Sequence, residues 1–207
     1  YLCRAAVNFI CCEYENALSD TNEYIKHYPD VMIAFTFKGI IFWALKNYAL
    51  AEENFAYVLE KEPRNPDALN NLGAIAFTKE DYETACRYYS KAIDLLPEVP
   101  DLYHNRGAAS AMMHKTEIAI IDLKKAEELY TMTGSSLIYK TYFYLALCAN
   151  VQNRYSDAID YANKGLKIMP KDSNFFSQRG QAEMKLGKYG EAQADFTDAI
   201  SLNPKWW

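Results

Sequence analysis

Between Asp67 and Pro97 apolar residues fall at three- and four-residue intervals, in two runs separated by a polar break. Leu69, Leu72, Ile75 and Ala76 make the first run, Lys79 to Asp81 interrupt it, and Tyr82, Ala85, Tyr89, Ala92 and Ile93 make the second. Such spacing puts each run on one face of an α-helix. Neither helix can bury its single apolar stripe alone, so the pair predicts a helical hairpin stacked against copies of itself.

The copies are present. Proline stands at Pro29, Pro63 and Pro97, then at Pro170 and Pro204, with steps of 34 residues inside each group. Alanine keeps the same phase at Ala17, Ala51, Ala85, Ala119, Ala158 and Ala192. Tyrosine precedes it by three at Tyr14, Tyr48, Tyr82, Tyr155 and Tyr189, with Thr116 the exception. A small residue recurs at Ala5, Gly39, Gly73, Gly107, Ala146 and Gly180. Six copies account for nearly the whole chain: residues 1–29, 30–63, 64–97, 98–131, 137–170 and 171–204, with an insertion near 131–136. Small residues at these phases let paired helices approach toward the lower end of the usual ~8–10 Å range. Each proline disfavours helix in the residue before it and so ends its copy.

This period and pattern resemble the tetratricopeptide repeat, a 34-residue helix-turn-helix unit. The third copy carries the resemblance most fully, in Leu72-Gly73, Tyr82, Ala85, Tyr89, Ala92 and Pro97. The second follows it with Gly39, Phe42, Tyr48, Ala51, Phe55 and Pro63, and the sixth with Gly180, Tyr189, Ala192, Phe196, Ala199 and Pro204. The resemblance implies an all-α fold, a right-handed superhelical solenoid of antiparallel helix hairpins with about six repeats in a single domain.

Several copies depart from the pattern. In the first, Arg4 and Asn8 replace a leucine and an aromatic, and Tyr24 replaces the second alanine, which predicts looser packing. In the fourth, Thr116, Leu123 and Thr131 replace the tyrosine, aromatic and proline, so its second helix should run on until Gly134 ends it. The inserted residues follow there, the expected place for a bend in the stack. In the fifth, Gly165 stands where alanine is usual, a cost of about 1 kcal/mol in a helix. Trp206 and Trp207 follow the last proline, and they are expected to start a further packed helix or to mark a domain junction. The chain starts at Tyr1, inside a repeat and without methionine, as a piece of a longer protein would.

Composition narrows the function. Half of the residues are hydrophobic, no apolar run approaches the ~20 residues of a membrane span, and the net charge of −5 supplies no basic stripe for nucleic acid. Neither membrane insertion nor nucleic-acid binding is expected, and the expected compartment is cytoplasmic. Cys11 and Cys12 adjoin at a turn, but no second pair follows at zinc-site spacing. The cysteines therefore read as reduced thiols acting as small hydrophobes, and no metal or cofactor is expected. His27, His104 and His114 fall in different copies and no phosphate loop or nucleophile motif is present, so catalysis is not expected.

In the family that this chain resembles, the first helices of successive repeats line a concave groove for a peptide. By phase the resemblance implies a groove of Ile33, Thr36, Ile40 and Trp43; Asp67, Asn70, Asn71, Ala74 and Phe77; Asp101, His104, Asn105, Ala108 and Met112; Lys140, Phe143, Leu147 and Asn150; and Asn174, Ser177, Gln178, Gln181 and Met184. Trp43, Asn70, Asn71, Phe77, His104, Asn105, Met112, Phe143 and Gln181 are its expected peptide contacts. Some family members clamp the acidic C-terminus of chaperones with lysines, arginine and asparagines. Only Asn71 matches that clamp: Thr36, Ile40, Asp101 and Asn105 stand at its other phases, so a chaperone carboxylate is not an expected ligand. The sequence reads as a protein-protein interaction scaffold. The alternatives are a structural spacer docking by its convex face or C-terminal end, and a substrate-recruiting arm of a larger enzyme.

Overall fold

The computed structural model describes residues 1–204, and every regular element of length among them is helical. One compact unit, Tyr1–Pro97, holds three hairpins. In it α1 (Leu2–Ile10) pairs with α2 (Tyr14–His27), α3 (Met32–Ala44) with α4 (Tyr48–Lys61), and α5 (Pro66–Thr78) with α6 (Tyr82–Leu95). A second unit begins at Glu98. It pairs α7 (Pro100–Met112) with α8 (Thr116–Thr133), α9 (Ile138–Val151) with α10 (Tyr155–Ile168), and α11 (Ser173–Lys185) with α12 (Tyr189–Leu202). Inside each unit the second helix of one hairpin packs on the first helix of the next, and first helices lie side by side, α3 by α5, α7 by α9 and α9 by α11.

Each hairpin turns through one residue in the left-handed region. Cys12, Lys46, Glu80, His114 and Asn153 have φ between 59° and 63°, and Gly187 fills the same phase at 76°. Five of these six carry a side chain in a conformation that disfavours one by roughly 1–2 kcal/mol, so the tight helix crossing beyond the turn must over-determine it. Second helices then start on polar caps where the sequence supplies one: Asn47 accepts from the Leu50 amide and Asp81 from the Thr84 amide. Pro66 and Pro100 occupy first-turn positions of α5 and α7, where a missing amide hydrogen costs nothing.

The fourth copy behaves as its missing proline predicts. Helix α8 runs 18 residues and stops at Gly134 with φ 64°, against 14 residues for α6. The added turn is packed, because Tyr130 is buried and its hydroxyl donates to Asp101 Oδ1 at 2.8 Å. The added turn of α8 is thus tied to the start of α7.

In the first hairpin, where looser packing is expected, the Arg4 guanidinium and the Asn8 amide both donate to the buried Asp20 carboxylate. The guanidinium holds Asp20 below the usual carboxylate range. One reading of the sequence, that of the cysteines, is corrected. Among the cysteines only Cys148 is a buried small hydrophobe, and burial pushes its thiol up to about 11. Cys3, Cys11 and Cys12 are exposed. Trp206 and Trp207, for which a further helix or junction was expected, lie outside the described residues.

Candidate functional site

In the second unit the side-by-side packing of α9 and α11 leaves a concavity of about 280 Å³. Phe143, Ser173, Asn174, Ser177, Gln178 and Gln181 line it, with Ala199 and Asn203 from the end of α12. The ring of Phe143 stands edge-on to Phe175 (centroids 6.3 Å, 80°) and to Tyr144 (5.0 Å, 74°), which fixes its position. Phe175 in turn is fully buried against Gly165 of α10, where an added Cβ would lie 2.2 Å from the ring. The glycine that looked like a helix defect makes room for the aromatic that supports the wall. Gln178 is 7% exposed, and its side-chain and backbone oxygens both accept from Asn150 Nδ2 at 2.9 Å.

The structure distributes the expected contacts unevenly. Phe143, Asn174, Ser177, Gln178 and Gln181 share that one concavity. Met112 is exposed and Asn105 half-buried on α7. His104 takes another role: it is 8% exposed, its Nδ1 lies 3.1 Å from Thr141 Oγ1, and its ring meets Tyr144 edge-on. Burial takes its imidazole down to about 4, so it stays neutral and joins α7 to α9 as a packing residue. In the first unit Trp43 is 45% exposed, and Asn70, Asn71 and Phe77 are half-buried. Asn71 Nδ2 donates back to the Asp67 carbonyl at 2.8 Å, and Phe77 leans on Tyr82 across its own turn. Ser173, Ala199 and Asn203 escaped the sequence reading. Asn203 immediately precedes Pro204, so the terminator phase was the available signal.

A second set of polar side chains is structural. Arg106 donates from Nε and Nη2 to the two Asp122 oxygens, both at 2.8 Å, and Arg179 does the same to Asp195 at 2.7 Å. With Arg4–Asp20 this makes three pairs sixteen residues apart, in copies one, four and six. Copies three and five put Leu72 near Tyr88 and Leu145 near Tyr161 at those phases. In the sixth copy Glu183 adds a carboxyl that is 8% exposed, with Oε2 unpartnered. Burial first, then the Asp195 charge, raise its pKa. A raised folded-state value means that protonation stabilises the fold: the contribution is full below the unfolded value and lost as pH rises through the folded one. Glu183→Gln should therefore stabilise the sixth hairpin by about 1 kcal/mol at pH 7. The gain should vanish toward pH 4 in thermal melts across that range.

Among the described residues no group of three or more His, Cys, Asp or Glu side chains is placed to hold a metal ion, and no helix is long and apolar enough to cross a membrane.

Tetratricopeptide-repeat family models match residues 38–100 and 173–206. The chain is 30% identical over 165 residues to Hsp70-Hsp90 organizing protein 1 of Glycine max, covering 64% of this chain and 29% of that protein. It is 26% identical over 188 residues to DnaJ protein P58IPK homolog A of Oryza sativa subsp. japonica, covering 86% of this chain and 40% of the relative. It thus spans less than half the length of either curated relative. Its fold matches a chain in the crystal structure of the APC/C hetero-tetramer Cut9-Hcn1 with a TM-score of 0.87 at 17% identity, covering 99% of this chain and 40% of the other. Matched repeats in both units, a fold shared over nearly the whole chain and one phase held through six helix pairs make this chain a tetratricopeptide-repeat protein.

Proposed function

We propose that this chain is an interaction scaffold that holds a peptide segment of a partner protein against the first helices of its hairpins. The observation that carries the reading is the α9–α11 concavity, where an aromatic wall and several amides converge without a charged side chain in the lining. Amide groups both give and accept hydrogen bonds, which suits a main chain of any sequence, and Phe143 supplies an apolar surface for one side chain. The similarity to a protein named for organizing Hsp70 and Hsp90 supports a protein partner in general. The clamp phases here carry Thr36, Ile40, Asp101 and Asn105, which argues against a chaperone carboxylate as the ligand.

The test is capture of partners by the full chain, followed by mapping on a peptide array and titration of the mapped peptide. Phe143→Ala and Gln181→Ala should each weaken that peptide by roughly 1 kcal/mol or more, and Asn105→Ala by up to about 1 kcal/mol if the segment also reaches α7. Affinity should change little between low and physiological salt, because few charges take part. Unchanged affinity in Phe143→Ala would move binding off this face and favour the spacer reading.

A further inference from the structure

A backbone carbonyl fixes the orientation of two side-chain amides in the second unit. Asn150 Nδ2 donates to the Gln178 carbonyl oxygen and to Gln178 Oε1, each at 2.9 Å. A main-chain oxygen only accepts, so the Asn150 atom that faces it is the NH2 group. That group also needs an acceptor from the Gln178 side chain, which turns Oε1 toward Asn150 and Nε2 away from it. Gln178 is nearly buried, and the surface it retains lines the concavity. Its amide therefore presents hydrogen-bond donors to whatever enters.

This lock has a cost. Asn150 Oδ1 is buried without a partner and so has lost its hydration with nothing in exchange. At the same phase the other copies hold Phe9, Trp43, Phe77, Ala111 and Met184, any of which avoids the orphaned acceptor. An under-satisfied amide at this one copy is accounted for by what its other end does, which is to hold Gln178 in one orientation.

Deepening the groove reading, on which this rests, we propose that the second unit selects an uncharged, extended peptide segment, with a backbone carbonyl accepting from Gln178 Nε2 and an apolar side chain on Phe143. Asn150 is the positioning residue. A carbonyl oxygen needs only the donors that Gln178 supplies. A carboxylate would lose its hydration in a lining that offers no cation, and is disfavoured.

The probe is an array of synthetic decapeptides in two sets, one free of Asp, Glu and a free C-terminal carboxylate, the other identical but for an acidic residue near the centre. The neutral set should be retained and the acidic set not. Gln178→Met and Gln178→Glu should lower retention about tenfold or more, and Asn150→Leu by at least about threefold with a melting temperature equal to or above that of the parent. A merely structural asparagine would not combine those two results. The Gln178 side-chain NH2 resonances of the parent chain should shift on adding a retained peptide, which decides the matter even if a Gln178 variant loses helix content. Preference for the acidic set, or retention unchanged by Gln178→Met but lost in Phe143→Ala, overturns the carbonyl assignment and leaves the groove standing. Retention that survives Phe143→Ala, or no retention of either set, removes both.

Discussion

Phe175→Ala should cost this chain about 4 kcal/mol, within the ~3–5 kcal/mol range for emptying a buried phenylalanine site, and adding Gly165→Val should recover about half or more. The expectation comes from a trade in size between neighbouring hairpins. In the fifth and sixth copies a fully buried ring faces a glycine so closely that a Cβ would sit 2.2 Å from it. In the second and third copies the same two phases hold Val58 and Ala68, both fully buried in one cluster. The double variant transplants that second solution. Gly165→Val alone should overpack and cost about 2 kcal/mol or more, so the coupling between the two sites should be large and favourable. Chemical denaturation gives the cycle, and hydrogen exchange of α10 and α11 localises it. Binding should behave differently from stability, because Phe143 rests on the Phe175 ring that the double variant lacks. Failure of Gly165→Val to recover any stability in the Phe175→Ala background would show that the glycine is not there to make room.

This pairing shows what was and was not legible in the sequence. The helices, their hairpins and the long α8 follow from spacing, proline and Gly134, because these are local effects that each residue exerts on its own backbone. Gly165 alone reads only as a weak helix former. Its meaning lies in Phe175, ten residues on, and becomes visible when departures from the repeat are compared in pairs across copies. Tyr24 followed by Ala34 at the same phases shows the same opposition of large and small.

The candidate site was legible in part for a similar reason. Phase places Phe143, Asn174, Ser177, Gln178 and Gln181 on a first-helix face, and the structure gathers them. Phase cannot say how deep a side chain sinks. His104 shares its phase with the accessible face, yet Thr141 and Tyr144 on the neighbouring helix enclose it. Nor can phase reveal which way an amide points, since Asn150 and Gln178 lie in different copies and meet only after the hairpins stack.

Arg106→Leu should destabilise the fourth hairpin by about 3 kcal/mol, while Arg106→Leu with Asp122→Tyr should come within about 1 kcal/mol of the parent. The single change leaves Asp122, 4% exposed, as a buried carboxylate without its guanidinium, and an uncompensated buried charge costs about 3–5 kcal/mol before relaxation toward solvent. Removing both charges and filling the space copies the third and fifth hairpins, where Leu72 and Leu145 pack in the clusters that take in Tyr88 and Tyr161. Replacing a buried ion pair by packed apolar groups is often neutral, so the pair contributes less than the cost of breaking it suggests. Asp122→Ala alone should fall between, at about 2 kcal/mol, because the Arg106 side chain is 26% exposed and keeps part of its hydration. Hydrogen exchange of α7 and α8 reads each variant in place, since a hairpin's stability is set by itself and its neighbours. A double variant no better than Arg106→Leu would mean that the fourth hairpin requires the ion pair itself, and that the apolar solution of its sister copies does not transfer.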